Sequence, residues 1–128
     1  MIHPDIEQVL YTEEQLRDRV REVGQQIAAD YAGREPMLIS VLRGSYIFMA
    51  DLTRAIDLNV TVDFMAVSSY GAGTTSSGQV EIKKDLSDSI EGKDLIIVED
   101  ILDSGNTLYY LMDVLRARKP ASIRICAL

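Results

Sequence analysis

Leu95-Ile-Ile-Val-Glu-Asp-Ile-Leu-Asp-Ser-Gly-Asn-Thr107 decides the fold. Its opening run, Leu95 to Val98, is apolar without alternation, as expected of a parallel strand covered by helices on both faces. Met37 to Leu42 reads nearly the same way. Around these runs the pattern predicts a strand over 37–42, a helix over about 45–56 and a strand over 60–67. A loop, a short strand over 80–84, a strand over 95–99, a helix over about 106–118 and a strand over 122–127 follow. Strands alternating with helices mean an α/β chain built on a mainly parallel, twisted sheet. Leu108, Leu111, Met112 and Leu115 supply an apolar stripe that would cover one face.

A first helix precedes this alternation. Thr12 followed by Gln15 has the form of a capping box, with Glu13 and Glu14 in the turn where the helix dipole favours acids. Leu16, Val20, Val23, Ile27 and Tyr31 then recur at helical spacing as one packing stripe, and Gly33 is the expected C-cap.

Composition narrows the possible partners. The 128 residues are 47% hydrophobic and 26% charged, which suits one small domain over 1–128. The longest aliphatic run, Leu95 to Val98, has four residues, against the roughly 18 to 20 that cross a bilayer. With 13 basic and 20 acidic residues the net charge is -7, which disfavours nucleic acid and anionic membranes as partners. The single cysteine, Cys126, cannot form an internal disulfide, and the first ten residues lack the form of a signal peptide. A reducing, cytoplasmic location is the expectation.

The acid excess is concentrated. Glu81 to Asp103 holds eight acidic and three basic residues, five of the seven net negative charges. Asp85, Asp88, Glu91 and Asp94 read as a solvated turn. Glu99, Asp100 and Asp103 do not, because they follow an aliphatic strand at once. Ser68 to Gln79 is small and polar apart from Tyr70, and reads either as a flexible hairpin connection or as a lid that closes over a ligand.

Open parallel sheets bind ligands beyond the carboxyl ends of their strands. Two places qualify, Leu42-Arg-Gly-Ser45 and the segment from Glu99 to Thr107. In the second, Ser104 to Thr107 would bring backbone N-H groups, two hydroxyls and a permissive glycine to a helix N-terminus, which makes a monophosphate cradle. No lysine follows at the Walker A position. Glu99 and Asp100 beside such a cradle repel a phosphate unless they bind hydroxyls or a hard cation, and a ribose diol and Mg2+ satisfy both conditions.

The run Val-Glu-Asp-Ile-Leu-Asp-Ser-Gly-Asn-Thr resembles the phosphoribosyl-pyrophosphate (PRPP) signature of type I phosphoribosyltransferases. Val41-Leu-Arg-Gly-Ser-Tyr-Ile-Phe-Met-Ala-Asp-Leu52 and Ser68-Ser-Tyr-Gly71 further resemble bacterial hypoxanthine-guanine phosphoribosyltransferases, and the likeness extends from about Tyr11 to Leu128. The resemblance implies the type I fold with a flexible hairpin loop, and transfer of 5-phosphoribosyl from PRPP to hypoxanthine or guanine. IMP or GMP and pyrophosphate are the implied products. Glu99, Asp100, Asp103, Ser104, Gly105, Asn106 and Thr107 are then the PRPP-binding residues, Glu99 and Asp100 also holding Mg2+. Arg43 and Gly44, with the Ser45 amide, take the pyrophosphate, on a Leu42-Arg43 peptide that in the family adopts a cis form. Ser69 and Tyr70 belong to the lid. Asp103 is the general base at purine N7, or the N-cap of the following helix, two compatible roles.

The family continues with a base-reading lysine, a stacking aromatic and a second aspartate, none of which stands in this sequence, so a C-terminal base-binding segment is expected beyond Leu128. A PRPP-sensing regulator and an inactive fragment of the same fold are the alternative readings. The regulator would need a basic patch. Apolar helices beside the sheet point to a homo-oligomer, dimer or tetramer. His3 reads as a surface residue and Cys126 as a small buried hydrophobe, and one histidine and one cysteine build no zinc or nucleophilic site.

Overall fold

The computed structural model describes residues 12–42, 45–69, 80–99 and 105–127. Along the chain these form α1 (Glu13–Asp30), β1 (Met37–Leu42), α2 (Tyr46–Ala55), β2 (Thr61–Ser69), β3 (Val80–Lys84), β4 (Asp94–Glu99), α3 (Gly105–Arg116) and β5 (Ser122–Ala127). The strands make one sheet in the order β3-β2-β1-β4-β5. β1 is parallel to both β2 and β4, β4 is parallel to β5, and β3 alone runs antiparallel, beside β2. This is the mainly parallel α/β sheet that the apolar runs imply.

The unbroken apolar runs have a direct cause. Successive side chains on a strand point to opposite faces. In β1, Leu38 enters one core while Met37 and Ile39 enter the other; in β4, Ile96 and Val98 oppose Leu95 and Ile97. The first core is closed by Val20 and Ile27 of α1, by Tyr31 just after it, and by Phe48, Met49 and Leu52 of α2. Leu111, Met112 and Leu115 of α3 close the second. Burying each such aliphatic side chain contributes about 1.5–3 kcal/mol, so a polar residue on either parity needs a partner.

Several local expectations change in the folded chain. The Thr12–Gln15 capping box forms, with bonds of 2.8 and 3.1 Å. Leu16, however, is 38% exposed, whereas Val20 and Ile27 of the same stripe are buried. The helix is capped at Tyr31 rather than Gly33; Gly33 instead takes a positive φ of 79° in the turn that follows. α2 is one residue shorter at each end than expected, since Ser45 and Ile56 are its caps, and α3 runs from 105 to 116. β2 extends to Ser69, and Ser68 and Ser69 pair with Glu81 and Val80 in the antiparallel ladder. The hairpin connection is therefore 70–79, outside the described residues.

Two members of the acidic run are not simply solvated. Asp85 accepts two 2.8 Å bonds from the Arg118 guanidinium, tying the end of β3 to the end of α3. Asp94 opens β4, half-buried, and accepts a 2.7 Å bond from the Ser122 hydroxyl on β5.

Candidate active site at the carboxyl ends of β1 and β4

β1 and β4 lie side by side, yet their chains leave in opposite directions. From β1 the chain passes through α2 to β2, and from β4 through α3 to β5, on the other side. Adjacent parallel strands whose connections diverge open a crevice beyond their carboxyl ends, the place where such sheets take ligands. The β1–β4 ladder ends at the pair Ser40 and Val98, whereas the β1–β2 ladder continues to Leu42 and Ala66. β1 thus parts from β4 at the mouth of the crevice.

Glu99 is the last residue of β4, one step past Val98, half-buried and in register with Ala127 of β5. The chain re-enters described structure at Gly105, so Gly105, Asn106 and Thr107 form the first turn of α3. Amides of a helix's first turn have no intrahelical acceptor and carry the positive end of the dipole, which suits a phosphate. The strand end at Glu99 and the helix start at Gly105 therefore stand close to where the sequence predicts them. Asp100, Asp103 and Ser104 lie outside the described residues, as do Arg43, Gly44 and Tyr70.

On the β1 side, Ser45 caps α2 in a helical conformation, with φ -85° and ψ -2°, and its hydroxyl bonds none of the helix's own amides. It turns instead to the strand, donating to the Val41 carbonyl oxygen at 2.8 Å, and its oxygen is 2.6 Å from the Ser40 hydroxyl. Both serines are buried. The sequence reading named Ser45 only for its amide and passed over Ser40. A lone serine in an apolar strand run was the available signal, since a buried hydroxyl requires a partner.

Asp63 was also passed over. It is buried on β2, and its carboxylate accepts the Phe64 amide at 2.8 Å and the Ser87 amide at 2.9 Å. Lys84 stands 3.7 Å away. These contacts anchor the β3–β4 connection to the sheet.

Cys126 is half-buried, and burial pushes its thiol above the ordinary range against the weaker opposing pull of Arg19. A thiol held protonated is a poor nucleophile, in line with the sequence reading. Among the described residues no cluster of three metal-ligating side chains forms, and no helix is long and apolar enough to cross a membrane. Of the two carboxylates assigned to Mg2+, Glu99 lies among the described residues, at the end of β4, and Asp100 does not.

Comparison with known proteins agrees with this geometry. The Phosphoribosyl transferase domain family matches residues 8–128. Hypoxanthine-guanine phosphoribosyltransferase of Streptococcus thermophilus is 48% identical over 128 residues, all of this chain and 71% of that protein. The bifunctional protein TilS/HprT of Listeria innocua is 49% identical over 127 residues, and the chain spans 20% of its length. Among solved structures, a hypoxanthine phosphoribosyltransferase from Staphylococcus aureus superposes with a TM-score of 0.92 at 45% identity, over 97% of this chain and 67% of that one. A Trypanosoma cruzi hypoxanthine phosphoribosyl transferase, studied for the role of its C-terminal region in oligomeric state and enzymatic activity, gives the same score and identity over 100% of this chain and 71% of that one.

Proposed function

The chain belongs to the phosphoribosyltransferase family, and we propose that it serves purine salvage by moving 5-phosphoribosyl from PRPP to N9 of hypoxanthine or guanine. The observation that carries this reading is the placement of Glu99 at the end of β4 and the first turn of α3 at the divergence of β1 and β4. Residues 1–128 act as one phosphoribosyltransferase domain.

In this reading the amides and hydroxyls of Ser104 to Thr107 hold the 5'-phosphate. Glu99 and Asp100 take the ribose hydroxyls, while Arg43, Gly44 and the Ser45 amide receive the pyrophosphate. N9 forms its bond to the anomeric carbon as the carbon–oxygen bond to pyrophosphate breaks, and the leaving oxygen keeps that electron pair. Asp103 accepts the N7 proton, which keeps the base electron-rich as the glycosidic bond forms. Glu99 and Asp100 would hold Mg2+, which when bound offsets the negative charge of the pyrophosphate. Ser69 and Tyr70 border the segment that excludes water from the cationic ribosyl centre, a centre that water would otherwise trap.

The regulator alternative needs unpaired basic surface. Ten basic side chains among the described residues instead lie within ion-pair distance of a carboxylate. A homo-oligomer, dimer or tetramer, is part of the proposal, supported by Leu16, Tyr46 and Ile47, which are exposed on α1 and α2. So is a cytoplasmic location, supported by the single cysteine and the acidic charge.

The test mixes PRPP, Mg2+ and hypoxanthine, guanine or xanthine with this chain and, in parallel, with a C-terminally extended one. Formation of IMP or GMP with release of pyrophosphate is the expected result. Failure of both chains to bind PRPP would overturn the reading.

A further inference from the structure

β2 presents two unlike faces. Asp63 and Met65 are buried on one, whereas on the other Val62 is 48% exposed and Phe64 is half-buried. Val62 and Phe64 pair with Leu38 and Ser40 of β1, and cross-strand neighbours share a face, so this is the face that α1 and α2 cover. α2 sits over β1 and β4, however, and the cover runs out at β2. On α2 itself, Ala55 meets Gly24 of α1, and α1 reaches Arg124 of β5 through Asp30. α1 therefore lies toward the β4–β5 side of α2. Tyr46, Ala50 and Thr53, spaced four and three apart, form the opposite side, which borders β2. Tyr46 is 55% exposed, and Ala50 is exposed as well.

The rim of this face carries one acid and one base. Glu81 of β3 stands opposite Ser68, which has the parity of Val62 and Phe64, and Lys83 lies 3.5 Å from the Glu81 carboxylate. β3 is the outermost strand, yet its edge is poorly suited to strand addition. The ladder to β2 shifts register between Ala66 and Val67, and Lys83 and Lys84 are consecutive on that edge. A partner therefore meets the face and not the edge. With a net charge of -7, two copies repel each other over most of their surface, and least where an apolar centre is bordered by charges of both signs. Such a face is self-complementary: about a two-fold axis, Glu81 of each copy stands opposite the partner's Lys83.

We infer that the face formed by Val62 and Phe64 of β2 with Tyr46, Ala50 and Thr53 of α2 is the contact of a two-fold dimer, its partner a second copy of this chain. This rests on the homo-oligomer of the proposed function and assigns it a surface. Val62 and Phe64 of the two copies supply the desolvated centre, and Glu81 with Lys83 the polar rim, the usual division of an interface. The groove between Leu16 of α1 and Ile47 of α2 opens on the other side of α2 and takes no part.

Sedimentation velocity of the whole chain over a concentration series tests the inference, with circular dichroism to check the fold of each variant. Wild type is expected to sediment as a dimer or as a tetramer of such dimers. Val62→Asp, which places a carboxylate from each copy at the centre, should weaken this association about a hundredfold or more and halve the mass. Ala50→Glu, on exposed helix surface, should do the same and guards against a Val62 variant that does not fold. Glu81→Lys and Lys83→Glu should each weaken association about tenfold by facing like charges, and the two together should restore it. Leu16→Asp should leave the mass unchanged. Folded Val62→Asp and Ala50→Glu variants that associate as wild type does overturn the inference and leave the homo-oligomer to another surface. Loss of association in Leu16→Asp alone overturns it too. Wild type that stays monomeric at every concentration removes the homo-oligomer and the inference with it, while phosphoribosyl transfer is judged separately by product formation.

Discussion

Gly24 of α1 faces Ala55 of α2 so closely that a Cβ built on the glycine would lie 2.5 Å from the Ala55 carbonyl oxygen. The two helices cover the same core, and their backbones meet at this point. No apolar stripe identifies such a glycine, because its role is to have no side chain.

Gly24→Ala should therefore destabilise the fold. Helix propensity alone would favour alanine by nearly 1 kcal/mol. The contact is with backbone, however, and overpacking of this kind costs typically 1–3 kcal/mol or more. We expect a net loss of about 1–2 kcal/mol in urea unfolding followed by circular dichroism. A variant as stable as wild type would show that α1 shifts freely against α2.

The Asp85–Arg118 pair should make stability depend on acid pH. The two bonds from the Arg118 side chain, aided by its charge, hold the Asp85 carboxyl below the usual carboxylate range. A carboxylate whose pKa is lower folded than unfolded binds more protons in the unfolded chain. Its contribution is then complete above the unfolded value of about 3.9 and is lost as pH falls through the lower folded value. The side chains are 34% and 47% exposed, so the pair is worth less than about 1 kcal/mol. Asp85→Asn should lower the thermal midpoint at pH 7, and the gap from wild type should close below about pH 3.

Thr107→Val tests the cradle at the first turn of α3. Loss of a hydrogen bond to a charged phosphate costs roughly 1.5–3 kcal/mol, about ten- to 150-fold in affinity. Titration with a nucleoside 5'-monophosphate reads this directly. Unchanged affinity would place the phosphate elsewhere.

Asp103→Asn separates the two roles given to that residue. As a general base it should slow turnover by about 10^2 to 10^4 while leaving ribose-phosphate binding close to wild type. As a helix cap alone, which asparagine replaces well, it should change turnover tenfold or less. The assay uses the C-terminally extended chain, with single-turnover product formation compared against monophosphate affinity.

Features that depend on near neighbours along the chain could be read without the fold. The α/β alternation was legible because a strand buried on both faces has to be apolar at both parities, as Leu95 to Val98 is. The α1 start was legible because a capping box closes within four residues, and the motif from Glu99 to Thr107 because strand end, connection and helix start are contiguous. Tertiary structure decided the rest. Strand order alone sets β1 beside β4 with diverging connections, and that makes the crevice. Asp85 meets Arg118 across 33 positions and Asp63 meets the Ser87 amide across 24, pairings that no local pattern encodes. Leu16 continues the apolar stripe yet stays exposed, since helical spacing specifies a face but not which of its positions a neighbouring element covers. Ser40 and Ser45 are near in sequence, but no periodicity places their buried hydroxyls 2.6 Å apart or turns Ser45 to the Val41 carbonyl. Periodicity and capping act over a few residues, whereas these contacts depend on which distant strands the packed core brings together.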